Sequence, residues 1–229
     1  MTFGNSKAAL EARKVLRDGD SVISERAYNL IIGGMLLWGF LCNWLIVTFW
    51  SDGIMRYAYN GGTGVIFLLY IVFAILGVIL VNRPNAVAGF IGYNLIVVPI
   101  GVLLCIALDG VDAQIISTAV LFTGLITLVY LILGTVFPGF FLSIGRTLLG
   151  GLGILLIGSL ITALFGIDDY LLCWLGAGLF GLFIGFDWAR CNVCACTLDN
   201  AVDAAANLYL DIINLFLRIV RILNESKRR

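Results

Sequence analysis

The sequence contains no histidine and few charged residues: Asp, Glu, Lys and Arg together make up 12% of 229 residues. Histidine is the only side chain whose unperturbed pKa lies near neutrality. Proton sensing near neutral pH must therefore fall to carboxylates in unusual surroundings. A serine-type intramembrane protease that depends on a histidine base is excluded for the same reason.

The formal net charge is zero, because the chain has fourteen acidic and fourteen basic residues. This leaves no electrostatic reason to expect a nucleic-acid partner. Apolar residues make up 61% of the chain, whereas soluble domains are about half apolar and about a quarter charged. The composition therefore predicts that the main partner of the chain is the lipid bilayer.

Seven segments are long enough to cross a hydrocarbon core of about 30 Å at about 1.5 Å per residue. We place them at residues 28–50, 63–81, 86–108, 113–137, 147–166, 169–189 and 202–223. The pattern predicts an all-α integral membrane fold with one membrane domain, residues 28–223. A cytoplasmic arm, residues 1–27, precedes this domain, and a basic tail, residues 224–229, follows it.

The distribution of basic residues predicts the orientation, because cytoplasmic segments are enriched in Lys and Arg. On one side of the first six spans lie Lys7, Arg13, Lys14, Arg17, Arg26, Arg83, Arg146 and Arg190. The connectors on the other side are acidic, with Arg56 as their only basic residue. We therefore expect a cytoplasmic N-terminus.

The seventh segment does not follow this charge rule. A full crossing would place five basic residues on the outer side, namely Arg218, Arg221, Lys227, Arg228 and Arg229. Either the segment is re-entrant and returns the tail to the cytoplasm, or it crosses as a shielded central helix. The sequence alone leaves both alternatives open.

Two aspartates lie at membrane depth, Asp187 near the end of the sixth span and Asp211 within the seventh. A carboxylate among apolar side chains in lipid costs a few kcal/mol, so it is expected to face a partner or water. If residues 190–201 form a turn, the two helices are antiparallel neighbours and the two carboxyl groups can meet. Such a pair does not readily ionise twice in low dielectric and titrates as a unit.

A shared proton would make this pair a pH sensor and a gate. Loss of the proton would create a repulsive doublet that separates the helices or recruits a cation. Calcium suits such a site because it prefers oxygen ligands. We therefore expect transient calcium binding by Asp187 and Asp211 and no resident cofactor.

Simpler roles for the same residues remain open. Asp187 can be an interfacial residue paired with Arg190, and Asp211 can hydrogen-bond to Asn94 or another buried polar group. With Asn214, these are the polar residues that we expect to support the pair.

Six cysteines do not indicate disulfides, because Cys42, Cys105 and Cys173 lie in apolar stretches. The other three share one short connector: Cys191, Cys194 and Cys196. Three thiols can ligate zinc, but structural zinc sites usually have four ligands. S-acylation, or no special role, is the favoured interpretation of this connector.

Three stretches of the sequence resemble the Bax inhibitor family, the transmembrane Bax inhibitor motif proteins. The C-terminal stretch reads Ala205-Ala206-Asn207-Leu208-Tyr209-Leu210-Asp211-Ile212-Ile213-Asn214-Leu215-Phe216-Leu217 and ends in Arg221-Ile222-Leu223. Phe186-Asp187 matches the Tyr-Asp pair that ends the family's sixth helix. The connector Val81-Asn82-Arg83-Pro84-Asn85-Ala86-Val87 is similar to the family's basic turn before the third helix.

The resemblance implies a seven-helix bundle with the C-terminal helix at its centre. Bacterial relatives are described as pH-sensitive calcium leak channels in which the two aspartates sense protons. It also implies that an arginine in the second connector latches onto the first aspartate, and Arg83 matches that position. The expected location is a bacterial inner membrane.

Two other functions were weighed against the channel. Some bacterial relatives are described as regulators that bind another membrane protein, such as a quality-control protease. An intramembrane aspartyl protease also carries two aspartates on its sixth and seventh helices, but it has Gly-x-Gly-Asp at the second one. This chain has Leu208-Tyr209-Leu210-Asp211 there, so we expect no enzymatic activity.

Overall fold

The computed structural model describes residues 22–228, together with residue 11 and residues 13–15. In this part of the chain the secondary structure is helical, apart from one isolated bridge between Val22 and Thr197. The helices are α1 (Glu25–Tyr57), α2 (Thr63–Val81), α3 (Ala86–Ala107), α4 (Ala113–Val136), α5 (Pro138–Phe165), α6 (Tyr170–Cys191) and α7 (Leu198–Arg228). The predicted all-α class is confirmed. Most of the predicted N-terminal arm, and Arg229 of the tail, lie outside the described residues.

Within the described residues, five helical runs are long and apolar enough to cross a membrane. They are Glu25–Val81, Ala86–Ala107, Ala113–Val136, Pro138–Phe165 and Tyr170–Cys191. These runs make the chain a multi-pass membrane protein. The first run contains both α1 and α2, and α7 is not among the five, so the count of seven crossings stays a prediction.

The start of α5 differs from the sequence prediction. The predicted spans 113–137 and 147–166 left residues 138–146 as a connector, but Pro138 is already the first residue of the helix. Proline fits this position because its fixed φ is helical and the N–H it lacks would be unpaired there. Phe137 alone therefore connects α4 to α5.

The chain divides into two compact units. Unit A contains residues 16–110 and 195–209, and unit B contains residues 1–15, 111–194 and 210–229. Helix α7 contributes its first part to unit A and its second part to unit B.

In unit A, α1 and α2 both pack against α3, in opposite directions. Tyr93 Oη donates a hydrogen bond to the carbonyl of Met35 at 2.6 Å, and Cys105 Sγ lies 4.0 Å from the carbonyl of Ile46. The later residue of α1 thus contacts the later residue of α3, so α1 runs parallel to α3.

Helix α2 runs antiparallel to α3, because Gly77 lies against Ile96 whereas Val81 lies against Gly92. The chain therefore reverses between α1 and α2. The reversal lies in the helical segment Ala58–Gly62, where Gly61 has φ of 91°. Glycine adopts this left-handed conformation without steric cost.

Unit B repeats this arrangement, with α6 packed between a parallel α4 and an antiparallel α5. The contacts that establish these directions are Tyr130 with Gly181, Thr135 with Trp188, Gly145 with Phe186, and Gly158 with Leu172. Each unit is thus a set of three consecutive helices in which the third contacts the first two.

Helix α7 is uninterrupted for 31 residues, and whether it crosses the membrane fully or as a re-entrant segment stays a prediction. In unit B it runs antiparallel to α6, because Arg218 lies against Gly176 and Arg221 pairs with Asp169. Between Leu198 and Glu225, Arg221 is the only exposed residue. A helix with so few exposed residues is a core helix rather than a surface helix.

Candidate functional site

A polar stripe runs along α7. Its members recur every three or four residues and are Asp203, Asn207, Asp211, Asn214, Arg218, Arg221 and Glu225. At about 3.6 residues per turn they fall within an arc of about 80°. The stripe extends about 33 Å along the helix, comparable with a hydrocarbon core of about 30 Å. The most buried helix therefore carries polar groups over a membrane-length distance.

Two carboxyl groups meet in the middle of this stripe. Asp211 contacts Asp187 of α6 closely enough for a side-chain hydrogen bond, and the two residues are only 8% and 6% exposed. Oδ2 of Asp211 is buried and has no hydrogen-bond partner among the described residues.

Arg190 completes the cluster from one turn further along α6. Its Nη2 lies 3.4 Å from Oδ1 of Asp187, and its charge also acts on Asp211. The simpler role considered for Asp187, pairing with Arg190, therefore coexists with the contact to Asp211.

The other predicted site residues make local contacts. In unit A, Asn94 Oδ1 accepts from Trp38 Nε1 at 2.9 Å, and Asn94 Nδ2 donates to the carbonyl of Phe90 at 2.8 Å. In unit B, Asn214 Nδ2 donates to the carbonyl of Leu210 at 2.7 Å.

Arg83, the predicted latch, is exposed in the connector between α2 and α3. Its backbone shapes this turn: its N–H donates to the carbonyl of Leu80 and its own carbonyl accepts from Asn85 N–H. The latch role stays a prediction of the family resemblance.

Asp203 is a buried carboxylate that the sequence reasoning missed. It is only 5% exposed, and Asn207 Nδ2 donates to its carbonyl at 2.8 Å and to its carboxylate at 3.2 Å. The signal that identifies it is its spacing, because Asp203, Asn207 and Asp211 are four residues apart and share one helix face.

Ion pairs hold the C-terminal part of α7 within unit B. Arg221 pairs with Asp169, and Lys227 Nζ lies 2.7 Å from Oδ2 of Asp112. Hydrogen bonds from Lys227 and from the backbone N–H of Gln114 hold the pKa of Asp112 below its usual range. Acidic connector residues thus compensate basic residues at the end of α7.

Three carboxylates near this end are close enough to share a metal ion. Oxygen atoms of Asp168, Asp169 and Glu225 lie within 4.8 Å of one another. The three connector cysteines form no such group among the described residues. The zinc alternative for these thiols therefore gains no support from the described geometry, and S-acylation or no special role stays the favoured interpretation.

The family model described as "inhibitor of apoptosis-promoting Bax1" matches residues 20–228. The matched range includes the whole polar stripe and all seven helices. No individual curated protein matches the chain.

Proposed function

Because the chain belongs to the Bax inhibitor family, we propose that it is a pH-sensitive cation leak channel gated by a proton shared between Asp187 and Asp211. Calcium is the proposed permeant ion, and a bacterial inner membrane is the proposed location. The proposed activity is transport, without a catalytic residue.

The observation that carries this proposal is the buried contact between Asp187 and Asp211 within the polar stripe. Buried carboxylates in a membrane protein are costly and typically mark ion or proton pathways. Structural ion pairing with Arg190 accounts for one negative charge. It does not account for the second carboxylate, nor for its unpartnered oxygen.

The polar stripe supports a pathway along α7. Its side chains supply carboxylate and amide oxygens at successive turns, from Asp203 through Asn207 and Asp211 to Asn214. Calcium binds such oxygen atoms. Conduction requires several sites of moderate strength rather than one tight site, and a row of single oxygens meets that condition.

Protonation supplies the proposed gate. While Asp187 and Asp211 share a proton, the cluster with Arg190 is neutral and the two helices stay in contact. Loss of the proton leaves an uncompensated negative charge in low dielectric. That charge is relieved either by a cation or by separation of α6 from α7, and both responses couple proton binding to cation passage.

Calcium entry into liposomes that contain the purified protein tests this function. We expect entry above that of empty liposomes, with a rate that changes between about pH 5 and about pH 8. Asp187→Asn and Asp211→Asn should each abolish the pH dependence. Asp52→Asn is the matched control, because it removes an exposed carboxylate from unit A and should leave the pH profile unchanged.

Entry no faster than in empty liposomes at every pH would overturn the channel proposal. It would favour the alternative that the protein is a non-transporting regulator of another membrane protein, such as a quality-control protease. Equal pH profiles for wild type and both aspartate variants would contradict the shared-proton gate while leaving a leak intact.

A further inference from the structure

A cavity of about 400 Å³ lies in unit B where α5 ends, α6 begins and α7 passes its last turns. Its polar lining comes from α5, from the connector before α6 and from α7: Ser159, Thr162, Asp169, Asn214, Arg218 and Arg221. The cavity thus brings two guanidinium groups together with hydroxyl and amide groups. Fixed guanidinium forks of this kind match the geometry of phosphate oxygens.

The two arginines differ in their partners. Arg221 is ion-paired with Asp169. Arg218 makes no ion pair among the described residues, and its Nη2 lies 3.4 Å from Ser159 Oγ, at the long limit of a hydrogen bond. A partly buried guanidinium without a carboxylate is costly, so an anionic group that reaches Arg218 through the cavity would be stabilised by it.

Close packing fixes the position of Arg218. A Cβ atom at Gly176 would lie 3.0 Å from Nε of Arg218, so the arginine side chain lies directly against α6 and a larger residue at position 176 would shift it. This contact directs the guanidinium towards Ser159 at the cavity wall. The donor is therefore held in place before a ligand arrives, which reduces the entropic cost of binding.

The cavity lies beside a surface suited to acyl chains. Large apolar side chains are exposed on the neighbouring parts of α5 and α6: Leu160, Leu164, Phe165, Ile167, Leu171 and Trp174. Tyr170 and Trp174 form an edge-to-face pair with ring centroids 6.4 Å apart. Aromatic residues of this kind concentrate at the membrane–water boundary, where the phosphate groups of lipids lie.

We propose that this cavity binds the phosphate group of an anionic ligand, with Arg218 as its principal ion-pairing residue. The exposed apolar surface beside it favours a phospholipid headgroup as the source. Arg221, held by Asp169, stays available for a second hydrogen bond through its remaining N–H groups. The binding does not depend on whether the protein conducts cations.

Nearby carboxylates set the selectivity of this site. Asp168 and Glu225 lie close to Asp169, with carboxylate oxygens within 4.8 Å of one another. They disfavour ligands with several negative charges. We therefore expect a phosphodiester with one net charge, such as phosphatidylglycerol, to bind better than a phosphomonoester.

Native mass spectrometry of the full-length protein, released from mixed phosphatidylglycerol and phosphatidylcholine nanodiscs, tests the site. Wild type should retain phosphatidylglycerol in preference to phosphatidylcholine. Arg218→Gln should weaken retention about tenfold, as expected for the loss of one charge-assisted contact. Arg146→Gln removes an exposed arginine from the opposite part of α5 and should retain the lipid as wild type does.

Arg218→Lys is a control for misfolding, because it keeps the positive charge but loses the planar guanidinium group. Its retention should fall between that of wild type and that of Arg218→Gln. Displacement of phosphatidylglycerol by inorganic phosphate would support the site and assign it to a soluble phosphate. Equal retention by wild type, Arg218→Gln and Arg218→Lys would overturn the proposal, as would equal retention of the two lipids by wild type.

Discussion

At the scale of single residues, the two central aspartates of the site could be predicted, because a charged side chain in lipid is energetically unfavourable. Asp187 and Asp211 interrupt apolar runs, so each requires a partner, and the structure brings them together. Asp203 was missed because it lies among alanines at the predicted edge of the seventh segment. Its burial depends on the packing around α7, and the residue sequence alone does not show that packing.

A buried hydrogen bond in unit A yields a prediction about stability. Asn43 is 4% exposed, and its Nδ2 donates to Tyr209 Oη at 2.6 Å. Tyr209→Phe leaves this donor unpaired and should lower the free energy of unfolding by about 1–3 kcal/mol, measured by denaturant unfolding in detergent. Tyr57→Phe, at a residue that is 51% exposed, should change it little. Equal effects of the two variants would refute the role of this bond.

The pKa of Asp112 gives a prediction with a defined sign. Because Lys227 lowers the pKa of Asp112 in the folded protein, the stabilisation from this pair is complete above the usual carboxyl pKa. It is lost as the pH falls through the lowered pKa. Carbon-13 NMR of the aspartate carboxyl groups should show the Asp112 pKa rising towards its usual value in Lys227→Gln. Lys227→Arg should preserve the low pKa, and an unchanged pKa in Lys227→Gln would exclude the ion pair.

At the scale of helices, ends with polar caps were predicted closely. Asn85 accepts hydrogen bonds from Val87 N–H and Ala88 N–H at the start of α3, and Asp112 caps α4 in the same way. The predicted start of α5 lies several residues after the observed one, because Pro138-Gly139 is also typical of a turn. The full length of α7 was underestimated because the polar stripe lowers the hydropathy of its last turns.

Close contact between α4 and α6 predicts a contrast between two glycines of α4. A Cβ atom at Gly134 would lie 2.6 Å from the carbonyl oxygen of Gly185, whereas one at Gly124 has no neighbour within 4 Å. Gly134→Ala should therefore cost about 1–3 kcal/mol through overpacking. Gly124→Ala should be neutral or stabilise by up to about 1 kcal/mol through helix propensity. Thermal unfolding in detergent measures both, and a stable Gly134→Ala variant would contradict the close approach.

At the scale of the whole molecule, hydropathy predicted the class but not the arrangement of helices within each unit. Both units place their third helix against a parallel first helix and an antiparallel second helix. This arrangement depends on which small residues meet across helices, such as Gly77 with Gly92 and Gly134 with Gly185. Side chains that small leave almost no hydrophobic pattern in the sequence.

The course of α7 predicts the side on which the C-terminus lies. Its last turns pair with Asp112 and Asp169, which belong to the acidic connectors expected outside the cytoplasm. Alkaline phosphatase fused after Arg229 should therefore be active, because this reporter folds only outside the cytoplasm. The same reporter fused after Asn192 should be inactive. Fluorescence of a green fluorescent protein fused after Arg229 would instead place the tail in the cytoplasm.

The coupling between Asp187 and Asp211 is the central claim, and a double-mutant cycle of calcium flux tests it most directly. The pH profile of entry into liposomes is measured for wild type, Asp187→Asn, Asp211→Asn and the double variant. If the two carboxyl groups share one proton, the double variant should behave as either single variant does, because the first substitution already removes the shared site. Additive changes in the pH profile would show two independent groups and contradict the shared-proton gate.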